Sequence, residues 1–325
     1  MVKLNRAGLP KYLFIEAPAL RVSMDGQNPK PAFDVKCQEP LANHSTYKIG
    51  GPARCLLNAA GEDEVVAALQ VAFSSGCPFL ILGGGSNVLF ADEGFPGMVI
   101  HMQNDSIETQ EGADGVNILV GAGTSLAKLA NFALANSLSG LEWAAGIPGT
   151  VGGAIRGNAG AFHQEIGNAI KKVRAIDVSD KTAAPRIFEK NDCDFSYRDS
   201  VFKRNKNLVI VSASLFLAKG KRESIEREMK EYLEKKVTTQ PLDAFSAGSV
   251  FTNPPGFFAG KLIEDCGLKG KVVGGALVSP KHANFIVNAG NAKAVDVLEL
   301  IAQIKNAVKE KFNIDLKEEI EIVKA

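Results

Sequence analysis

The stretch GIPGTVGGAIRGNAG, residues 146–160, has six glycines in fifteen positions. Two further glycine loops, LGGGSN (82–87) and VGAGTSL (120–126), each follow a predicted strand. Glycine permits positive φ and close approach of a ligand, and successive backbone N–H groups form concave anion sites. One such loop alone is equally consistent with a simple turn. The three together predict a site for a large, flat cofactor that carries a pyrophosphate.

Two common nucleotide motifs fit these loops poorly. GAG at 121–123 lies between a predicted strand and a predicted helix, with Glu142 about twenty residues further on, as in a dinucleotide-binding fingerprint. Leu126 occupies the position of the third glycine, so the fingerprint is partial and weak. No GxxxxGK[ST] sequence occurs, which excludes a P-loop.

Composition narrows the class of protein. The 325 residues are 46% hydrophobic, which is enough for two or three domains with their own cores. The 37 basic and 36 acidic residues leave a net charge of +1 without a basic block, which argues against a nucleic-acid partner. The longest apolar runs are too short for a membrane span or a signal peptide, so we expect a cytoplasmic protein.

Cysteine and histidine give no metal motif. The five cysteines are scattered and never form CxxC, which is typical of reduced packing thiols. The four histidines show no HExxH or Cys/His spacing, so no metal site is predicted.

The hydrophobic pattern predicts a mixed α and β chain. Helical spacing over residues 62–76 ends at Gly76, and Thr124 is a candidate cap for a helix that follows the second loop. Strands are predicted at 172–178 and 208–217, and a charged helix at 223–236. A helix at 294–311 is expected to bury one stripe, consisting of Val295, Leu298, Ile301, Ala302 and Val308.

Seven segments, in order, resemble the UDP-N-acetylenolpyruvoylglucosamine reductase family. The resemblance covers residues 43–323, nearly the whole chain beyond its first forty residues. The segments are NHSTYKIGGPA, ILGGGSNVL, GAGTSLAKLANFA, GIPGTVGGAIRGNAGAF, FSYRDSVFK, AGSVFTNP and SPKHANFIVN.

The resemblance implies an α+β fold with an FAD-binding domain of the vanillyl-alcohol-oxidase (PCMH) type and a smaller α/β substrate-binding domain. The implied organisation is an N-terminal extension (1–40), an FAD domain (41–238, with lobes at about 41–104 and 105–238), a substrate domain (239–318) and a C-terminal strand (319–325) that returns towards the FAD domain. The segment after Asn253 has no inserted tyrosine loop, as in the family's second type.

The implied reaction belongs to peptidoglycan precursor synthesis. NADPH reduces noncovalent FAD, and a hydride then passes from flavin N5 to the methylene carbon of UDP-N-acetylglucosamine enolpyruvate, giving UDP-N-acetylmuramate. The implied cofactor-binding residues come from the three glycine loops: Gly83, Gly84, Gly85, Ser86, Asn87, Gly123, Thr124, Gly146, Ile147, Pro148, Gly149, Thr150, Gly152, Gly153, Gly157, Asn158 and Gly160.

Three residues match the family's catalytic positions. Arg198 would bind the substrate carboxylate, Ser249 would donate the proton, and Glu319 would stabilise the developing enolate. Taken by chemistry alone, each assignment has an ordinary alternative. Arg198 can pair with Asp199, the GS dipeptide can be a turn, and the carboxylates beside Glu319 are equivalent candidates.

The substrate-binding positions are Tyr197, Asn253 and His282. Three positions depart from the family pattern. Lys236 replaces a common arginine, Thr239 a frequent lysine, and Thr252 a basic residue, so fewer cations would face the diphosphate. Nearby lysines at 261, 269 and 281 can compensate.

Two rival functions share parts of this pattern. An FAD oxidase acting on an alcohol or sugar would use the same cofactor fold, and a protein that binds flavin or UDP-sugar without turnover would keep the glycine loops. The C-terminal motifs favour the reductase, and we expect it to be a monomer.

Overall fold

A computed structural model describes residues 34–179 and 184–325. The predicted extension, residues 1–40, lies mostly outside these residues. Its last part, Asp34–Pro40, forms a strand of the first sheet. Among the helices of the described residues, none has the length and apolar character needed to cross a bilayer, and no group of acidic, histidine and cysteine side chains there could hold a metal ion.

The first part of the chain forms a four-stranded sheet with order β1-β2-β5-β3. The pairing is antiparallel between β1 and β2 and parallel elsewhere. The elements of this first part of the chain are β1 (Asp34–Pro40), β2 (Pro52–Ala59), α1 (Glu62–Ser75), β3 (Phe79–Leu82), β4 (Val88–Phe90) and β5 (Phe95–Met102). Strand β4 lies outside the four-stranded sheet. As predicted, α1 ends at Gly76, which adopts the left-handed conformation with φ 61°.

The second part is built on an antiparallel sheet with order β12-β11-β13-β7-β6, and β8 pairs with the end of β13. The predicted strands at 172–178 and 208–217 and the charged helix at 223–236 are confirmed. The elements are β6 (Ile107–Glu111), β7 (Gly115–Gly121), α2 (Leu126–Ala135), β8 (Leu138–Ser139), α3 (Val151–Arg156), β9 (Gly160–Ala161), β10 (Gln164–Glu165), α4 (Ile166–Ala169), β11 (Ile170–Asp177), β12 (Pro185–Glu189), α5 (Val201–Arg204), β13 (Leu208–Lys219) and α6 (Arg222–Thr239).

The third part packs two helices against a small antiparallel sheet with order β14-β17-β16-β15. Its last strand leaves this sheet and pairs in parallel with β4 of the first part. The elements are β14 (Phe245–Ser246), α7 (Ala259–Asp265), β15 (Val272–Val273), β16 (Ala276–Val278), β17 (Ile286–Asn288), α8 (Ala294–Phe312) and β18 (Glu321–Val323).

Three apolar cores hold these parts together. The largest joins α1 and one face of the first sheet to the second sheet, so the two predicted FAD lobes share one core. The opposite face of the first sheet packs on β4 and β18, with Phe90 and Val323 in its core. The third core lies in the last part of the chain but also takes in Tyr47, Ile49 and Leu89. Because the cores cross the boundaries in sequence, the third part is fixed to the first.

Two predictions about helices are wrong in detail. Ser125, not Thr124, caps α2, because the Ser125 hydroxyl accepts the Lys128 N–H while Thr124 is fully buried. In α8, Val295, Leu298 and Ala302 lie on the exposed side. The buried stripe consists of Ala294, Val297, Leu300, Ile301, Ile304 and Val308.

The position of this stripe can be tested by unfolding. Leu300 is 0% exposed, whereas Leu298 is 37% exposed. We expect Leu300→Ala to lower the free energy of unfolding by about 2–5 kcal/mol, because it leaves a cavity. Leu298→Ala should change it by about 0.5 kcal/mol or less. Equal losses for the two variants in urea unfolding would contradict the assignment of the buried face.

Candidate active site

The first and third glycine loops pack directly on each other. The Ser86 hydroxyl donates to the Pro148 carbonyl at 3.2 Å. A Cβ added to Gly84 would lie 2.9 Å from Gly149 Cα, and one added to Gly83 would lie 2.4 Å from Thr150 Oγ1. The glycines at 83 and 84 are therefore required by contact between the two loops.

The second glycine loop completes this arrangement. The Thr124 carbonyl accepts the Val151 N–H at 2.8 Å, and the Leu126 N–H donates to the Gly149 carbonyl at 3.0 Å. Gly123 lies against the backbone of residues 102–104, and Gly152 against Ala122. All three predicted loops thus meet at the start of α3.

Several of these glycines also pack closely on other parts of the chain. Gly85 has φ 60° and packs on His44, and Gly160 packs on Gln164. Gly153 and Gly157 have room for a side chain. A Cβ added there would lie 3.6 Å from Thr150 Oγ1 and 3.7 Å from the Gly153 carbonyl oxygen, which are normal van der Waals distances. Chain packing does not require glycine at these two positions, so they remain candidates for close approach of a ligand.

Backbone donors at the first loop are available for an anion. The N–H groups of Gly84, Gly85 and Ser86 donate to no acceptor among residues 34–179 and 184–325. Gly85 has the left-handed conformation, and successive N–H groups around such a residue converge on one point. This donor set fits the pyrophosphate of a dinucleotide.

Asn158, a predicted cofactor-binding residue, links two segments of the chain. Its side chain is 0% exposed and bridges two loops. The amide nitrogen donates to the Ser196 carbonyl at 2.9 Å, and the amide oxygen accepts the Gly167 N–H at 3.1 Å. Asn158 therefore positions the segment that carries Tyr197 and Arg198.

Lys236 supports the third glycine loop and does not face the substrate region. It is 3% exposed, and its ammonium group donates to the carbonyls of Trp143 at 2.8 Å and Ala145 at 2.5 Å. These carbonyls precede Gly146, which has φ 73° and lies against Leu233 of α6. Ile147 is partly buried against the largest core. Helix α6 thus holds the loop in place from behind.

Burial of Lys236 predicts a pH-dependent stability. Desolvation lowers the pKa of Lys236 to about 8 from 10.5. Between these pH values the unfolded chain binds more protons than the folded chain, so the free energy of unfolding rises with pH. We expect a contribution of up to about 3 kcal/mol between pH 8 and 10.5. In Lys236→Met this contribution is lost. The free energy of unfolding of wild type, measured with denaturant, should therefore rise relative to that of the variant between pH 8 and 10.5. The same pH dependence in both proteins would contradict the prediction.

Arg198 and Glu319 form an ion pair, although 121 positions separate them in sequence. Arg198 Nε lies 2.7 Å from Glu319 Oε1, and Arg198 Nη2 donates to the Gly160 carbonyl at 2.9 Å. Arg198 has the left-handed conformation, with φ 55°, and Lys203 Nζ donates to its carbonyl at 2.7 Å. The Arg198 side chain is 26% exposed and is therefore partly accessible to a ligand.

The neighbouring carboxylates that could have paired with Arg198 have other partners. Asp199 pairs with Arg204 instead of Arg198. Glu318 pairs with Lys305 at 2.7 Å, and Glu321 with Arg156 at 2.7 Å, so Glu319 alone of the three faces Arg198. Burial raises the pKa of Glu319, while Arg198 and Lys203 oppose that rise.

Ser249 lies beside this pair. The Glu319 N–H donates to the carbonyl of Val250 at 2.8 Å, and the Thr252 N–H donates to the carbonyl of Lys317 at 3.0 Å. The strand-like segment after Ser249 therefore runs along the segment that carries Glu319. Asn87 links both to the first glycine loop, because its side-chain amide donates to the Glu319 carbonyl at 3.1 Å.

Ser249 also lines an open cavity of about 320 Å³. The predicted substrate residues Asn253 and His282 line it as well, together with the three lysines expected to compensate for missing cations. The lining is Ser249, Asn253, Phe258, Gly260, Lys261, Glu264, Lys269, Lys281, His282, Ala283 and Asn284.

The predicted substrate residues make defined contacts. The Asn253 N–H donates to the Tyr197 hydroxyl at 3.3 Å, while the Asn253 side chain accepts the Ala259 N–H at 2.9 Å. His282 Nδ1 accepts the Asn284 N–H at 3.2 Å, and burial lowers the pKa of His282. His282 therefore has a restrained ring at the wall of the cavity.

Sequence reasoning missed several residues that hold this site. Arg156 and Lys203 contact residues on either side of the ion pair. Asn284, 4% exposed, exchanges two hydrogen bonds between its side chain and the backbone of Phe251. No local sequence signal marks Arg156 and Asn284, because their partners are distant in the chain.

Known proteins resemble the chain over both regions. The protein-family model "FAD binding domain" matches residues 53–183. The protein-family model "UDP-N-acetylenolpyruvoylglucosamine reductase, C-terminal domain" matches residues 240–323.

Two bacterial reductases of this name match over most of their length. The UDP-N-acetylenolpyruvoylglucosamine reductase of Caldanaerobacter subterraneus subsp. tengcongensis is 42% identical over 285 residues, 88% of this chain and 92% of the relative. That of Clostridium novyi is 40% identical over 290 residues, 89% and 92% of the two chains. The crystal structure of the Thermus caldophilus reductase is 34% identical, with a TM-score of 0.72 over 90% of this chain and 98% of that one. The chain belongs to the UDP-N-acetylenolpyruvoylglucosamine reductase family.

Proposed function

We propose that the chain uses NADPH and FAD to reduce UDP-N-acetylglucosamine enolpyruvate to UDP-N-acetylmuramate in peptidoglycan precursor synthesis. The main support is the junction at which the Arg198–Glu319 pair, Ser249 and Asn87 of the first glycine loop meet. Such a junction brings a carboxylate-binding cation and a proton donor beside a dinucleotide loop.

FAD is the cofactor that the loops fit. Backbone donors of Gly84, Gly85 and Ser86 would hold its pyrophosphate, and Gly153 and Gly157 would allow its ring system to lie against α3. Bound FAD supplies hydride transfer, accepting a hydride from NADPH and delivering one to the enolpyruvyl methylene carbon. We propose noncovalent binding.

Arg198 would bind the carboxylate of the enolpyruvyl group. Its guanidinium remains charged at any working pH and can bind a carboxylate through two hydrogen bonds. Glu319 already lies 2.7 Å from Nε of that guanidinium. Substrate binding would therefore place a second carboxylate next to Glu319, and like charges at this distance favour protonation of one of them.

Protonated Glu319 would donate a hydrogen bond to the developing enolate. Burial already raises its pKa, and loss of part of the contact with Arg198 would raise it further. Ser249 would then give its proton to the carbon that bears the carboxylate, because an enolate is basic enough to take it. In this proposal Glu319 stabilises the charge of the enolate, and Ser249 supplies the proton.

The cavity beside Ser249 would take the UDP part of the substrate. Lys261, Lys269 and Lys281 line it, and two of them already pair with carboxylates, Lys261 with Asp265 and Lys269 with Glu264. A diphosphate can replace these exposed partners at small cost, since exposed ion pairs contribute about 0–1 kcal/mol. His282, Asn253 and Tyr197 would contact sugar or phosphate oxygens.

We infer that the FAD domain spans residues 41–238, the substrate domain 239–318, and that residues 319–325 return to the FAD domain. Pairing of β18 with β4 supports this last boundary. We also infer a cytoplasmic monomer with small-molecule substrates, which is consistent with the even charge balance and the free cysteines of the described residues.

Stopped-flow absorbance tests the proposed function. The purified protein should be yellow, lose its flavin colour with NADPH, and regain it on addition of UDP-N-acetylglucosamine enolpyruvate. An FAD oxidase would instead regain colour rapidly in air and form peroxide. A folded protein that takes up no flavin after supplementation would overturn the proposal, as would flavin reoxidation that ignores the enol substrate.

A further inference from the structure

Arg156, at the end of α3, contacts the chain on both sides of the Arg198–Glu319 pair. Its guanidinium forms two contacts with Glu321, Nη1 to Oε2 at 2.7 Å and Nη2 to Oε1 at 3.3 Å. Its carbonyl accepts the Ser200 hydroxyl at 2.7 Å. Glu321 is two residues beyond Glu319, and Ser200 is two residues beyond Arg198.

The contacts of Arg156 with Glu321 and with Ser200 restrain the segments that carry Glu319 and Arg198. Two parallel contacts between a guanidinium and a carboxylate restrain orientation as well as distance. Ser200 is 0% exposed and caps α5 by accepting the Lys203 N–H, so its hydroxyl has a single arrangement. The side chains of Arg156 and Glu321 are about one third exposed, at 32% and 34%. The pair therefore contributes little to global stability, and its main effect is local.

Helix α3 connects these contacts to the third glycine loop. It begins at Val151, directly after Thr150, and runs only six residues to Arg156. Helix α3 thus joins the loop that would hold FAD to a residue that contacts Ser200 and Glu321, two positions beyond Arg198 and Glu319 respectively. We propose that Arg156 is a positioning residue, which sets the placement of Arg198 and Glu319 relative to the cofactor loop. The inference rests on the proposed function for its catalytic consequence.

Arg174 provides a matched control. It forms the same kind of double contact with Glu62, Nε to Oε2 at 2.7 Å and Nη2 to Oε1 at 2.8 Å, with side chains 40% and 31% exposed. This pair links β11 to α1, away from the Arg198–Glu319 pair. Loss of either arginine removes a comparable ion pair, but only Arg156 adjoins the site.

The test uses the FAD-loaded protein in two half-reactions. Arg156→Met should reduce flavin with NADPH at a rate within about twofold of wild type, because the variant keeps the glycine loops. Reoxidation at saturating enol substrate should slow by about 10- to 100-fold, since a displacement of about 1 Å at reacting groups has effects of this size. Arg156→Lys should recover part of the rate, and Arg174→Met should match wild type in both steps.

Glu321→Gln and the double variant complete the experiment. If the two residues act as a unit, Arg156→Met/Glu321→Gln should be no slower than Arg156→Met alone. Hydrogen exchange gives a readout that does not need turnover. Residues 316–323 should exchange faster in Arg156→Met than in Arg174→Met, because the variant loses the contact with Glu321. Residues 196–200 should exchange alike in the two variants, because Ser200 bonds to the backbone carbonyl of Arg156, which the substitution keeps. Failure of wild type to be reoxidised by the enol substrate would count against the proposed function only, and exchange would still decide the inference. Equal exchange of residues 316–323 and equal reoxidation in the two variants would overturn it.

Discussion

Ser249→Ala is expected to leave flavin reduction by NADPH nearly unchanged and to slow reoxidation by the enol substrate by about 10²- to 10⁴-fold. The range is typical for loss of a positioned proton donor. The Ser249 side chain lines the cavity, while the backbone of the next residue holds Glu319. Removal of the hydroxyl therefore takes away the proton without moving the carboxyl group.

Ser246→Ala is the control for this experiment. Ser246 lies in the same segment and interacts through its backbone, which pairs with Val287 and accepts the Thr46 hydroxyl at 2.7 Å. Single-turnover absorbance at the flavin band separates the two half-reactions. The proton-donor role of Ser249 is rejected if Ser249→Ala damages reduction and reoxidation equally, or if it matches Ser246→Ala.

Arg198→Met should slow the same half-reaction by about 10²- to 10³-fold, as loss of one group that stabilises transition-state charge commonly does. The variant should also bind the enol substrate more weakly, because Arg198 would contact the carboxylate before reaction. Since the guanidinium lowers the pKa of Glu319 against the effect of burial, its removal should raise that pKa further.

Arg204→Met controls for loss of a neighbouring arginine. Arg204 pairs with Asp194 at 2.5 Å and with Asp199, on the outer side of the same loop. Its loss should leave both half-reactions within about twofold of wild type, since exposed ion pairs contribute little. Reoxidation of Arg198→Met at the wild-type rate would rule out a role for Arg198 in the reaction.

The family resemblance indicated Arg198, Ser249 and Glu319, and the structure pairs Arg198 with Glu319 and places the residue after Ser249 against Glu319. The contacts that hold them could not be predicted in this way. Arg156 and Glu321 are 165 positions apart, and Lys236 is 93 positions from Trp143. Such pairs depend on the path of the chain in three dimensions, which no local pattern of charge reveals. The sequence therefore shows Lys236 only as a replacement for a common family arginine, and the structure adds its contact with the glycine loop.

Errors in the helices have a different physical origin. Thr124 and Ser125 are both good capping residues, and the choice depends on Val151, which donates its N–H to the Thr124 carbonyl. In α8, Val295 and Leu298 form a second apolar row beside the row that contains Leu300. Helical periodicity describes both rows equally well, and only the position of the sheet beneath the helix decides which one is buried.

The parallel pairing of β18 with β4 restricts how this protein can be recombined with its relatives. A chimera with its breakpoint near residue 240, between the two regions matched by family models, would exchange β18 together with the substrate region. The incoming segment would then have to fit a foreign Asn87 and a foreign Arg156 in order to place its carboxyl group. Functional hybrids should therefore require a second crossover before residue 316, which returns the final segment to the parent that supplies the flavin loops.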